Sequence, residues 1–469
     1  MSAPAREPAP APSTAAPTST LATTSLPTST APVPATPIRR SGRWIDHWDP
    51  EDATFWRGGA KAIARRNLAF SVYAEFLGFC VWALWSVVVP LLPAAGFSLT
   101  LDQQFWLIAL PSLVGATVRI PYTFAVPLFG GRNWTIISAL LLIIPASALA
   151  WVVTEPSSSF GLLLTCAALA GFGGGNFASS MTNISFFFPE AEKGKALGLN
   201  AAGGNLGTGI VQLVVPAVIV IGAGTHLERA GLMFIPLALL AAAFAWRGMD
   251  NLSGARSDYG SFAAATRNRH TWIISFLYIG TFGSFIGYSG AFPTLLTTQF
   301  PETPTTIAFL GALIGALSRP LGGIVADRFG GARVTIGSFA LLTAGAVGAI
   351  EGLKSHSFVV FFCSFLVLFL GAGIGNGATY RMIPAVFRAG ISAERLPTAR
   401  KTAAGCIGIA GAVGAYGGFF IPRGFAMAKA THGSLVPALW VFVAAYLLMA
   451  ATTYVVYARR GSALAAETI

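Results

Sequence analysis

Twelve stretches of roughly 20 mostly apolar residues, each long enough to cross a bilayer, dictate what this chain can fold into. They lie near 68–92, 104–129, 134–153, 160–187, 197–222, 230–247, 271–293, 305–327, 334–352, 357–380, 401–427 and 434–457. In hydrocarbon every backbone N–H and C=O must be paired within its own segment, so runs of this length form helices. Only 10% of the 469 residues are charged and 54% are hydrophobic, far from the roughly 25% charge of a soluble domain. The expectation is an all-α integral membrane protein with twelve transmembrane helices.

A formal net charge of +12 would suit nucleic acid, but its placement points to a lipid bilayer and no nucleic acid. With the amino terminus inside, the outer segments hold only Arg229, Lys354, Arg423 and Lys429. The inner segments hold 24 of the 30 Lys and Arg. This is the positive-inside bias of a membrane protein, and an even span count puts both termini in the cytoplasm. Residues 1–38 are rich in Ala, Pro, Ser and Thr and lack the apolar core of a signal peptide, so a disordered tail is expected. Residues 39–66 carry seven Arg and Lys around Trp44, Trp48 and Trp56, and read as a cytoplasmic membrane-surface segment. Cys80, Cys166, Cys363 and Cys406 all fall inside spans, and none is spaced for a metal or redox pair. No metal or cofactor is expected.

The chain repeats itself. AGFGGGNFASSMTNISFFFP at 170–189 is echoed by GAGIGNGATYRMIPAVF at 371–387, so that Gly171, Gly173, Gly175, Asn176 and Ala178 return 200 residues later. GATVRIP at 115–121 aligns likewise with GALSRPL at 315–321, matching Arg119 to Arg319, and Phe129-Gly130-Gly131 matches Phe329-Gly330-Gly331. Two six-helix halves follow, 67–247 and 270–460, joined by a cytoplasmic linker at 248–269 and followed by a short tail at 461–469. Parallel repeats of this kind build transporters whose site lies at the midplane between them.

Arg119 stands some ten residues from the cytoplasmic end of its span, about 15 Å deep, and Arg319 is about as deep in its own. An arginine there costs at least ~2.5–3.5 kcal/mol on insertion scales. The acid nearest Arg319 on its own helix, Asp327, is about 12 Å of helical rise away. The pair therefore reads as an anion site. A guanidinium is a planar fork that bonds two oxygens of a planar anion at once, which a lysine cannot do. Gly171 and Gly175, like Gly371 and Gly375, are spaced by four and form small-residue stripes for close helix packing. GFGGGN has no following Lys-Ser or Lys-Thr, so it is no nucleotide loop. For Asn176 and Asn376 two readings stand, an interhelical hydrogen bond or a place on the substrate path. Asn205 and Gln212 share one helix face, and Tyr278, Phe282 and Phe285 form an aromatic stripe. Glu75 is the one carboxylate well inside a span, about two turns from its inner end. It reads as reaching back to the interface, with proton binding or arginine balancing as the alternatives.

GGIVADRFGGARV at 322–334 resembles the loop signature of the major facilitator superfamily. The two glycine segments, together with LPSLVGATVRIPYTFAVPLFGGRNWT and FLYIGTFGSFIGYSGAF, resemble its nitrate/nitrite porters of the NarK type over about residues 45–460. The resemblance implies the major facilitator fold and a substrate clamped by Arg119 and Arg319 from opposite halves. It also implies that Asn205 contacts the anion, Tyr278 lies near it, and Phe79 and Phe177 sandwich it. Two facing cations across a dry cavity repel unless an anion sits between them, which favours exchange of nitrate for nitrite. Without a midplane carboxylate, proton symport has less support; it and a carrier of another small inorganic anion are the alternatives. The expected protein is a cytoplasmic-membrane antiporter acting as a monomer, not an enzyme.

Overall fold

The computed structural model describes residues 36–255 and 259–459. The expected tail at 1–38 lies outside these apart from its last three residues, as does the tail at 461–469. Twelve helices are long and apolar enough to span a membrane: α1 Ala53–Leu91, α2 Leu101–Phe129, α3 Gly131–Val152, α4 Phe160–Phe187, α5 Glu190–Ile219, α6 Arg229–Gly248, α7 Arg269–Gln299, α8 Thr305–Phe329, α9 Gly331–Lys354, α10 Phe358–Arg388, α11 Ala393–His432 and α12 Val436–Ala458. All twelve apolar stretches of the sequence are helices. Their starts and stops follow local chemistry rather than hydropathy. Thr100 and Gln103 form a capping box at the start of α2, and Ser159 and Ser357 cap α4 and α10.

The repeat is structural as well as sequential. Gly130 (φ 87°, ψ 145°) ends α2 and Gly330 (φ 88°, ψ 136°) ends α8, in a backbone conformation that only glycine enters freely. The halves meet along two related seams, α5 against α8 and α2 against α11. On the side opposite the chain ends, Arg423 of α11 pairs with Asp102 of α2 at 2.8 Å and lies 4.1 Å from the Trp106 ring centroid. Gln212 of α5 donates to the Ser289 carbonyl of α7 at 2.7 Å, and Thr117 of α2 and Tyr416 of α11 share a hydrogen bond at 3.0 Å. These contacts tie the halves together across the centre and that far side.

The glycine stripes lie where helices touch. A Cβ on Gly171 would come within 2.5 Å of Val114 Cβ, one on Gly175 within 2.7 Å of Tyr122, and one on Gly375 within 2.6 Å of Ser338 Oγ. Gly371 is less confined, at 3.1 Å from Leu341 Cβ. Backbones also approach closely between α1 and α4, where a Cβ on Gly78 would meet the Gly173 carbonyl at 2.8 Å.

The segment 39–66 makes specific contacts. It packs on the protein. Trp44–Ile45 (β1) pairs in parallel with Asn251–Leu252 (β2). Asp250, fully buried, receives Arg39 at 2.7 Å, Arg66 at 2.6 Å and Arg43 at 2.9 Å. Trp48 donates to the Phe187 carbonyl, and Trp56 packs edge-on to Phe188. A buried carboxylate needs several donors, and this one draws the basic residues inward. Helix α1 starts at Ala53, well before the apolar run, where the Asp52 side chain accepts from the Thr54 and Phe55 backbone N–H groups. The linker is also partly helical: Tyr259–Arg267 packs on α11, and Tyr259 stacks on Phe124 of α2.

Candidate anion site

Arg119 and Arg319 come from opposite halves and meet over one ring. The Arg119 guanidinium carbon is 4.6 Å from the Phe177 ring centroid and that of Arg319 is 5.7 Å from it. Both side chains are buried, at 1% and 5% exposure, and among the described residues neither has an ion-pair partner. Arg119 uses Nε on the Gly174 carbonyl (3.0 Å) and Nη1 on the Gly411 carbonyl of the other half (2.6 Å). Its Nη2 has no partner within the protein, nor has Nη1 of Arg319. Arg319 Nη2 reaches the Tyr278 hydroxyl at 3.4 Å.

Aromatic faces wall this centre. Phe177 stacks on Phe282 (5.9 Å, 24°), and Phe282 stacks on Tyr278 (5.3 Å, 21°). Phe79 meets Phe177 edge-on at 6.2 Å. Trp82 and Phe282 also face Arg119, at 5.4 and 5.0 Å. A π-helical turn at Ile279–Gly283 sits between Tyr278 and the rest of α7 and sets the angle at which Tyr278 and Phe282 enter the stack.

The two asparagines of the repeat do different things. Asn376 Oδ1 accepts from Tyr278 at 2.7 Å, so it makes the interhelical hydrogen bond, and its Nδ2 remains unpartnered. Asn176 is buried with neither amide atom partnered. The 200-residue offset explains the asymmetry, because Gly78 stands where the other half has Tyr278. Asn205 of α5 is likewise fully buried with a free amide.

Sequence reasoning missed Tyr380, which lies 5.7 Å from the Arg319 guanidinium and whose buried hydroxyl has no partner. Its position four residues after Asn376, on the same helix face, was the available signal. The Gly411 carbonyl that holds Arg119 left no trace in the sequence. Glu75 is a correction. It does not reach the interface; it is fully buried and hydrogen-bonded to Ser180 and Asn200. The reason is tertiary: Ser180 of α4 and Asn200 of α5 cover the carboxylate and hold Oε2, so it has no path to the helix end. A buried carboxylate therefore does lie within the bundle.

The arrangement offers two planar cations, several free amide and hydroxyl donors and apolar walls, with no base aimed at the centre from the ring stack. That suits a small, flat, singly charged oxyanion. The sequence matches the Major Facilitator Superfamily profile over residues 75–422. It is 42% identical over 445 residues to the nitrate/nitrite transporter NarU of Salmonella typhimurium, covering 89% of this chain and 96% of that one. It is 34% identical to the probable nitrate/nitrite antiporter NarK2 of Thermus thermophilus, covering 90% and 98%. The chain belongs to the major facilitator superfamily, in its nitrate/nitrite porter family. Among solved structures the porter superposes on a D-xylose–proton symporter with a TM-score of 0.65 at 15% identity, covering 84% of this chain and 97% of that one. That likeness concerns the fold alone.

Proposed function

We propose that this porter carries nitrate and nitrite across the cytoplasmic membrane by alternating access, taking each anion between Arg119 and Arg319. The observation that carries the reading is the pair of unpartnered guanidinium N–H groups, one from each half, converging on Phe177. Each planar fork can bond one edge of the anion, while Asn176, Asn205 and Asn376 supply further N–H donors. Phe79, Phe177, Phe282 and Tyr278 exclude water and so strengthen those contacts. Both ends of the chain face the cytoplasm in this reading, supported by the bias of Lys and Arg to that side. One chain contains the whole site, which suits a monomer.

Exchange of one anion for the other is the main mode. The two guanidinium carbons lie within about 10 Å of each other, so at an effective dielectric near 20 they repel by about 1.7 kcal/mol or more. An anion between them reverses the sign of that interaction, and the halves close more readily when loaded. Labelled nitrate should therefore enter proteoliposomes preloaded with nitrite faster than empty ones. Equal rates with and without internal nitrite would sink the exchange reading. Proton-coupled uptake is the second reading, favoured by the central position of Glu75.

A further inference from the structure

One titratable side chain in the middle of the bundle has no part in the arginine centre. Glu75 of α1 is fully buried. Its Oε2 accepts from the Ser180 hydroxyl of α4 and from the Asn200 amide of α5 at 2.5 Å, and Ser180 is also 3.1 Å from Ser71 Oγ. Oε1 has no partner within the protein. Among the described residues no Lys, Arg or His forms an ion pair with it. The three side chains form a layer of their own. Glu75 is four residues before Phe79, Ser180 four after Asn176, and Asn200 five before Asn205. Each is thus displaced toward the chain-end side of an anion-facing residue, by about 6–8 Å of helical rise.

We propose that Glu75, held by Ser180 and Asn200, is a proton-binding site that loads and unloads together with the anion, so that the porter also runs as a nitrate–proton symporter. The inference rests on the arginine pair being the anion site. A carboxylate buried among transmembrane helices is expensive when ionised, and neutral partners on one oxygen leave the other unsatisfied. The Ser180 and Asn200 donors favour its charge, and so does the positive charge of Arg119 and Arg319 one layer away. An anion arriving between the arginines cancels that field and adds a negative charge. The carboxylate then takes a proton on Oε1 from water on the open side, forming an O–H bond. After the halves reorient, that bond breaks and the proton passes to water on the other side, with nothing oxidised or reduced. By reciprocity, protonating Glu75 tightens anion binding. The empty centre with ionised Glu75 and the centre loaded with both anion and proton carry the same charge, one net positive. Reorientation of either therefore moves equal charge.

The groups that face Glu75 are few. Arg119 of α2, Arg319 of α8 and Tyr380 of α10 are the titratable groups of the adjoining anion layer. Helices α4 and α5 present Ser180 and Asn200, and the charged residues of α5 (Glu190, Glu192, Lys193, Lys195) sit at its chain-end tip. Asp250, beyond the end of α6, is engaged by Asn67 and by Arg39, Arg43 and Arg66.

The test uses the full-length porter in liposomes with the membrane potential clamped at zero. In the parent, an acid-outside pH gradient should concentrate labelled nitrate inside, up to about tenfold per pH unit for one-to-one coupling. A trapped pH dye should report one proton entering per nitrate. In Glu75→Gln, gradient-driven accumulation should fall to equal concentrations inside and out, judged against nitrite counterflow in the same vesicles. Ser180→Ala, which removes a donor to the ionised carboxylate, should move the external pH of half-maximal gradient-driven uptake upward. No accumulation and no dye signal in a parent that still exchanges nitrite overturns this inference alone. Accumulation that survives Glu75→Gln, or, if that variant does not fold, an unmoved pH midpoint in Ser180→Ala, also overturns it. A parent without counterflow overturns the anion-site reading instead.

Discussion

Replacing Arg119 by lysine keeps the charge and removes the fork. In the parent, one guanidinium holds the Gly174 carbonyl of its own half and the Gly411 carbonyl of the other, and still has a free Nη2 in the centre. An ammonium group on a flexible stem cannot serve two carbonyls and an anion edge from one fixed position. Loss of a charge-assisted hydrogen bond to the anion removes about 1.5–3 kcal/mol, so nitrate counterflow at low substrate falls by about tenfold to a hundredfold. The assay is initial-rate uptake of labelled nitrate into nitrite-loaded proteoliposomes, beside size-exclusion and thermal-unfolding controls. Folding should be close to the parent, because Phe177, Phe282 and Trp82 receive an ammonium as they receive a guanidinium. A well-folded Arg119→Lys porter with counterflow within about threefold of the parent would refute the claim that planar, multidentate donation holds the anion.

Three further outcomes follow from the same geometry. Tyr278→Phe removes the donor to Asn376 and the hydroxyl near Arg319, so nitrate affinity should drop by about tenfold and stability by about 1–3 kcal/mol; unchanged affinity by titration would show that the hydroxyl does not organise the site. Gly175→Leu and Gly375→Leu place large side chains against Tyr122 and against Ser338 and Thr281, and both should lower the unfolding temperature and transport together, since overpacking typically costs about 1–3 kcal/mol; normal melting and rates in both would remove the close-contact reading. Asp250→Asn leaves Arg39, Arg43 and Arg66 crowded without their acid, so unfolding should come earlier by about 3 kcal/mol or more, while nitrate affinity, read by titration, stays the same.

The sequence alone determined the twelve spans, the two halves and the two arginines, because each is a local property. Span existence follows from hydrocarbon thickness and backbone pairing, and the 200-residue repeat maps Arg119 to Arg319 with no knowledge of contacts. It even contained the asymmetry between Asn176 and Asn376, since Gly78 and Tyr278 occupy matching positions. Tertiary structure decided which groups share a space. Phe177 lies beneath both guanidiniums, Gly411 holds Arg119 from across the seam, and Tyr380 stands over Arg319. Helical periodicity gives a residue's face but not the helix that covers it. Glu75 shows the same limit along the axis. Hydropathy placed the start of its helix near residue 68, whereas the helical segment begins at Ala53, capped by Asp52. The burial of that carboxylate was decided by Ser180 and Asn200, which α4 and α5 bring over it from more than 100 positions away along the chain.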